Sequence, residues 1–186
     1  MNAIELLKQY QTGSRDFSGI NLVREKLKGI DLYQADFSQA ILTEVDFSQA
    51  NLAQTSFYFA LLNLSNLTEA ILTTANLRAA NLRSALLYKA DCRKAQLQKV
   101  NLNQAILKRA FFREANFSEA TLVSADLSQA NLIDADLCGA DLTGANLDKT
   151  FLLGANLTGA NLTGVNLERA ILTDAIMPNG KIYQSK

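Results

Sequence analysis

An all-β solenoid is the fold that the sequence predicts, and three observations predict it. Counted in fives from Arg15, the middle residues run Phe17, Leu22, Leu27, Leu32 and onward to Leu172. Of these 32 centres, 31 are Leu or Phe, and the exception is Cys92. Two residues before the centre 22 of 32 positions are Ala, and one before it 20 of 32 are Asn or Asp. The phase holds over 160 residues with no insertion or deletion, so the block reads as one domain without linkers.

A period of five fits neither ordinary element. On an α-helix five residues advance a net of about 140°, so the Leu positions would spiral around the axis. On a straight strand an odd step alternates faces, and half of the Leu side chains would meet water. A chain that turns at every repeat keeps each centre inward, and its coils then stack about 4.8 Å apart through backbone hydrogen bonds. The coil length is read from the exceptions. The position before the centre is apolar at Ile41, Leu61, Ile71, Leu86, Ile106, Phe111, Phe151, Ile171 and Ile176. Ile41/Leu61, Leu86/Ile106 and Phe151/Ile171 lie 20 apart, as do the centres Phe17/Phe37 and Phe37/Phe57. Like side chains stack, so four repeats close one coil, and about eight coils give a rod of roughly 38 Å.

Residues 1–14 read as an N-terminal helical cap. Asn2 is a suitable N-cap with Glu5 three residues on, Gly13 ends the segment, and Ile4, Leu7 and Tyr10 are expected to cover the first coil. Residues 15–177 form the solenoid. Arg15 and Glu25 at inward positions, with Lys26 beside them, predict a distorted first coil and regular geometry from about Ile30. Asn or Asp before each centre can bond nearby backbone and hold the bend. Thr55, Ser65 and Thr150 put hydroxyls inward, where they should bond the backbone. Gly139, Gly144, Gly154, Gly159 and Gly164 predict positive φ and type II-like turns in the C-terminal half. Residues 178–186 are a turn and tail, with Pro178, Asn179 and Gly180 as the turn and 181–183 as a final edge segment. The oligomeric state is left as monomer or end-to-end dimer, the latter through Ile176, Ile182 and Tyr183.

Repeats such as Ala-Asn-Leu-Thr-Gly (155–159), Ala-Asp-Leu-Ser-Gln (125–129) and Ala-Asn-Leu-Arg-Ala (75–79) are similar to the pentapeptide-repeat family, whose consensus is A-[DN]-L-x-x. The resemblance covers residues 15–177. It implies a right-handed quadrilateral parallel β-helix, with the centre and the Ala two before it inward. Residues 2–13 followed by Asp16 and Phe17, and the closing residues 175–180, resemble cytosolic members abundant in cyanobacteria, one of them a regulator linked to heterocyst differentiation.

Composition excludes most chemistry. The chain has no His, so it lacks a His nucleophile pair, a His metal ligand and an imidazole base. Two Cys make neither a four-thiolate zinc site nor a disulfide framework. Cys92 reads as a buried inert thiol and Cys138 as outward-facing on another wall. No phosphate loop, nucleophile elbow or metal-ligand spacing occurs, so no catalytic residue, metal or cofactor is expected. No signal peptide and no span of about 20 apolar residues is seen, and a cytoplasmic location without membrane contact is expected.

The surface charge is uneven although 18 Lys and Arg balance 18 Asp and Glu. Residues 78–113 hold nine cations with only Asp91 opposing them, net +8, between segments of −3 (1–77) and −7 (114–174), and the tail adds +2. The 20-residue period gives Lys89, Lys108 and Arg109 one wall, and Arg93, Lys94 and Arg113 the next. Leu86, Ile106 and Phe111 are apolar side chains among them. These nine residues are the candidate interaction patch, weighed against a merely solvated surface. The function expected is a non-enzymatic scaffold or regulatory module that binds a protein with an acidic surface. One alternative is gyrase protection by DNA mimicry, as in some family members, although the basic girdle interrupts any acidic face and no loop projects from the repeats. The other is binding of nucleic acid by the girdle, although no nucleic-acid motif is present.

Overall fold

The structure is a computed structural model that describes residues 1–184. Ser185 and Lys186, the end of the expected tail, lie outside the described residues. Each five-residue repeat makes one wall and one turn. In the turn the N–H three residues beyond the centre donates to the carbonyl of the centre, as Ala40 does to Phe37 at 3.0 Å and Ala105 to Leu102 at 3.0 Å. The second residue beyond the centre has positive φ at every corner from Gly19 to Gly164, whether it is Gly139 (66°), Gln39 (60°) or the β-branched Thr74 (57°). These are type II turns, whose third residue needs that conformation.

This corrects the expectation that positive φ belongs to the glycine-bearing C-terminal half. The left-handed conformation costs a non-glycine residue about 1–2 kcal/mol. Hydrogen bonds between coils impose it: the Gln39 N–H, for example, donates to the Tyr58 carbonyl at 2.7 Å. Asn and Asp before the centre brace the wall in the expected way. Their Oδ1 accepts the N–H two residues on, at 3.1 Å from Tyr33 to Asp31 and 3.0 Å from Ser128 to Asp126. At Asp141 the Thr143 hydroxyl, and then its N–H, lower the carboxyl pKa.

Four such walls close one coil. Parallel bridges join residues 20 apart, from Asp16↔Asp36 to Asn156↔Ile176. Each wall has room for a single bridge, so the walls are isolated bridges and not extended strands. We number the walls by their centres: first (Phe17, Phe37, Phe57), second (Leu22, Leu42), third (Leu27, Phe47) and fourth (Leu32, Leu52). The axis is filled by the centres and by the Ala two before them. Phe17 stacks on Phe37 at 5.6 Å and Phe37 on Phe57 at 5.5 Å. Burying each such side chain contributes about 1.5–3 kcal/mol.

The inward hydroxyls divide. Thr55 Oγ1 donates to the Leu52 carbonyl and Thr150 Oγ1 to that of Leu127 at 2.8 Å. Ser65 Oγ is buried without a partner, contrary to expectation. Ser65→Ala restores the usual residue and removes an orphaned hydroxyl, so it should stabilise by about 1 kcal/mol. Thermal unfolding should show a rise of about 2–4 °C, and an unchanged or lower midpoint would contradict the assignment.

Helix α1 (Ala3–Gln11) opens with a full capping box between Asn2 and Glu5. Its buried face agrees with the expected one at Tyr10 and differs from it at Ile4. Leu6 is fully buried, with Ala3 and Tyr10 packed on the core, whereas Ile4 is 78% exposed. The first coil is also regular where distortion was expected. Its bridges Asp16↔Asp36, Asn21↔Ile41 and Lys26↔Asp46 all form. Arg15 and Glu25 lie at the open end of the stack, so their side chains reach α1 and avoid the axis. Arg15 Nη1 donates to the Tyr10 carbonyl at 3.0 Å, and Glu25 Oε2 accepts from the Ala3 N–H at 3.2 Å.

Irregularity falls instead on the last coil. Among the described residues Asn146, bridged to Asp126 below, has no bridge to Asn166 above, and the third wall makes no bonds between those two coils. Leu162 and Leu167 are only half-buried, since no further coil stacks on them. The chain then turns at 177–180, where the Gly180 N–H donates to the Met177 carbonyl at 2.8 Å. It returns with an antiparallel bridge, Ile176↔Ile182. Among the described residues no helix is long and apolar enough to cross a membrane.

Candidate interaction surface

Outward side chains of one wall form columns along the rod, because residues 20 apart stack. The columns redistribute the expected basic girdle. Lys89 pairs with Glu69 of the coil below at 3.5 Å, and Arg93 with Asp91 at 2.6 Å. Lys94 pairs with Glu114 at 3.4 Å and Lys99 with Glu119 at 3.5 Å. Arg113 contacts Glu114 and Asp134 at 3.4 and 3.6 Å. Asp91 within the band and carboxylates from the flanking acidic segments (Glu69, Glu114, Glu119 and Asp134) therefore pair with five of its nine cations. Exposed pairs of this kind are worth about 0–1 kcal/mol, so they dilute the field without locking the surface. Among the described residues Arg78, Arg83, Lys108, Arg109 and Lys149 have no ion pair within 4.0 Å.

The candidate patch separates into three parts. Lys89, Arg109 and Phe111 meet in an open groove of about 680 Å3 along the edge between the third and fourth walls. Arg93, Lys94 and Arg113 line smaller grooves on the fourth wall. Leu86 and Ile106 stack on each other on the far side of the third wall, and Lys108 projects between them and the groove.

The groove also holds Gln129, Lys149 and Phe151, which sequence reasoning left out of the patch. Lys149 was counted within an acidic segment. Reading charge by columns (89, 109, 129, 149) finds it. Phe111 and Phe151 are 46% and 40% exposed, so two aromatic faces lie beside the cationic column. Arg109 Nε donates to Gln129 Oε1 at 2.9 Å and its Nη1 to the Tyr88 hydroxyl at 3.5 Å. The second contact lowers the Tyr88 pKa. Both partners are neutral, so they orient the guanidinium and leave its charge free. Cation, aromatic face and a polar rim are the composition of a protein-binding surface.

Reactive groups are sparse. Burial in the axis pushes the Cys92 thiol pKa up, and Cys138, half-buried on another wall, is free. Among the described residues no cluster of three Cys, Asp or Glu converges as a metal site would require.

The family described as Pentapeptide repeats (8 copies) matches residues 30–68, 65–104, 95–132, 122–152, 135–174 and 152–184. No curated protein sequence matches the chain. Among solved structures, HetL, a pentapeptide repeat protein involved in heterocyst differentiation regulation from the cyanobacterium Nostoc sp. strain PCC 7120, is 30% identical. The match covers 98% of this chain and 100% of HetL with a TM-score of 0.62. A second pentapeptide repeat protein of Nostoc PCC 7120 is 34% identical over 56% of this chain and 84% of its own, with a TM-score of 0.51. A trypsin-treated form of QnrB1, a plasmid-mediated fluoroquinolone resistance protein, has a TM-score of 0.75 at 17% identity, covering 89% and 86% of the two chains. That likeness is one of fold alone. The five-residue phase, the four-walled coil and the matched residues lead to one conclusion: the chain belongs to the pentapeptide repeat family.

Proposed function

We propose that the protein is a non-enzymatic scaffold or regulatory module that docks another protein through the outer surface of its rod. The edge between the third and fourth walls receives an acidic partner. The observation that carries this reading is the groove in which Arg109 and Lys149, free of carboxylate partners, flank the exposed rings of Phe111 and Phe151. HetL, involved in the regulation of heterocyst differentiation, is similar over its whole length and supports a regulatory role. The reading takes the rod to be right-handed, divided as 1–14 (helical cap), 15–177 (β-helix) and 178–186 (turn and tail), and to act in the cytoplasm.

The reading is tested by capture from lysate with two charge reversals. The Lys89→Glu/Arg109→Glu/Lys149→Glu variant should lose a partner that the wild type retains. The Arg93→Glu/Lys94→Glu/Arg113→Glu variant should keep it, since those cations already face carboxylates. Loss in both or in neither would sink the reading. Tight, steeply salt-dependent binding of duplex DNA by the wild type would instead mark the nucleic-acid alternative.

A further inference from the structure

The opposite edge of the rod, between the first and second walls, carries a different chemistry. Tyr58 and Phe59 meet edge to face with ring centroids 4.6 Å apart, so neither ring needs ordering on contact. Phe59 is 52% exposed, and Leu64, just around the corner, 55%. Leu61 lies between them and stacks on Ile41 of the coil below. Single exposed apolar residues are ordinary, but a contiguous cluster on a repeat surface whose other positions are mostly polar is not.

Three neighbours give the cluster a direction. Arg78 and Arg83 stand one coil above it, as the bonds from Phe59 N–H to the Arg78 carbonyl (3.1 Å) and from Leu64 N–H to the Arg83 carbonyl (3.0 Å) show. Both cations lack a carboxylate within 4.0 Å among the described residues. In the corner column above Phe59 comes Ala79 and then Lys99, so the small residue leaves a notch in a groove of about 450 Å3. Gln98 lines that groove, and its Oε1 is buried without a hydrogen-bond partner.

We propose that this edge binds an extended peptide segment of another protein. Its apolar side chains pack on Tyr58, Phe59 and Leu64 and fill the Ala79 notch, and its carboxylates meet Arg78 and Arg83. A second copy of this chain fits less well. The nearby acids are already held, Glu44 by Arg24 in two hydrogen bonds at 2.8 and 3.1 Å and Glu119, which lines the groove, by Lys99 at 3.5 Å, so a copy laid on this edge brings no free carboxylate to the arginines. The site is separate from the basic groove of the third and fourth walls and stands without it.

The test is selection of a random-peptide display library on the immobilised full chain, followed by titration of the enriched peptides. Enriched sequences should combine aromatic or aliphatic residues with Asp or Glu. Their affinity should fall about tenfold or more on Phe59→Ser/Leu64→Ser and again on Arg78→Glu/Arg83→Glu. Lys89→Glu/Arg109→Glu/Lys149→Glu should leave it unchanged, which separates this site from the first. All the substituted side chains are exposed, and thermal unfolding verifies the fold of each variant. No enriched peptide, peptides without acidic residues, or undiminished binding to either edge variant would overturn the proposal. So would a wild-type dimer, seen by sedimentation, that Leu64→Ser dissociates, because the occupant would then be a second copy.

Discussion

Leu102→Asp is expected to leave no soluble, folded protein. Leu102 is a centre of the second wall, fully buried and midway along the stack. Removing the side chain forfeits about 2–5 kcal/mol of burial and packing. The carboxylate that replaces it meets the apolar side chains that fill the axis, and isolating a charge in that way costs several kcal/mol more. The sum approaches the whole stability of a typical domain. Neighbours cannot relieve it by turning, because the turn on each side is tied to the coils above and below. The Leu102 N–H itself donates to the Thr121 carbonyl at 2.7 Å. Leu102→Met, of similar volume, should cost less than about 1.5 kcal/mol and serves as the control. Soluble yield and far-UV circular dichroism measure the outcome, and a native-like Leu102→Asp protein would refute the inward placement of the centres.

That prediction could be written from the sequence, because the core signal repeats at every fifth residue. The Phe17, Phe37 and Phe57 ladder gave the coil length in the same way. Asn and Asp were legible as wall braces because the bond they make is local, spanning two residues. What remained hidden depends on rotation or on distance along the chain. Helix α1 is short and apolar at Ala3, Ile4, Leu6 and Leu7, so periodicity alone leaves open whether Ile4 or Leu6 faces the core. The ion pairs of Lys94 with Glu114 and Lys99 with Glu119 join residues 20 apart, so a charge count along segments sees a band where the surface has pairs. Glycine marks a left-handed corner only where it occurs, and most corners hold another residue under the same inter-coil constraint. Phe59 and Leu64 were passed over because they occupy a corner position where any residue is tolerated. The last coil opens because nothing covers it, a property of its place in the stack and not of its repeats.

Deleting the single corner residue Gln104 should be as damaging as Leu102→Asp, whereas deleting whole repeats should not. The corner at Gln104 is fixed from both sides. Its own N–H donates to the Val123 carbonyl at 2.9 Å, and the Ser84 N–H donates to the Asn103 carbonyl at 3.0 Å. A four-residue repeat either breaks those bonds or passes the slip onward, moving the 14 later centres, all Leu or Phe, out of the axis. Removing residues 135–154, one full coil, joins Asp134 to Ala155 with turn phase and walls unchanged. The rod loses one nearest-neighbour interface and about 4.8 Å of length, and the protein should fold with lower stability. Removing only 135–139 also keeps every centre inward but turns all later residues by one wall. Lys149 and Phe151 then leave the edge that holds Arg109 and Phe111, while the cluster around Phe59 is untouched. Thermal unfolding and partner capture on the three deletions separate the layers of the argument. The one-residue deletion should fail to fold. The repeat deletions should fold and retain peptides bound at the opposite edge. Removal of 135–139 should lose the partner of the basic groove, whereas removal of 135–154, which sets Arg169 and Ile171 in the places of Lys149 and Phe151, should keep much of that binding. A folded one-residue deletion would refute the coil register, and full capture by the folded 135–139 deletion would refute the column that builds the groove.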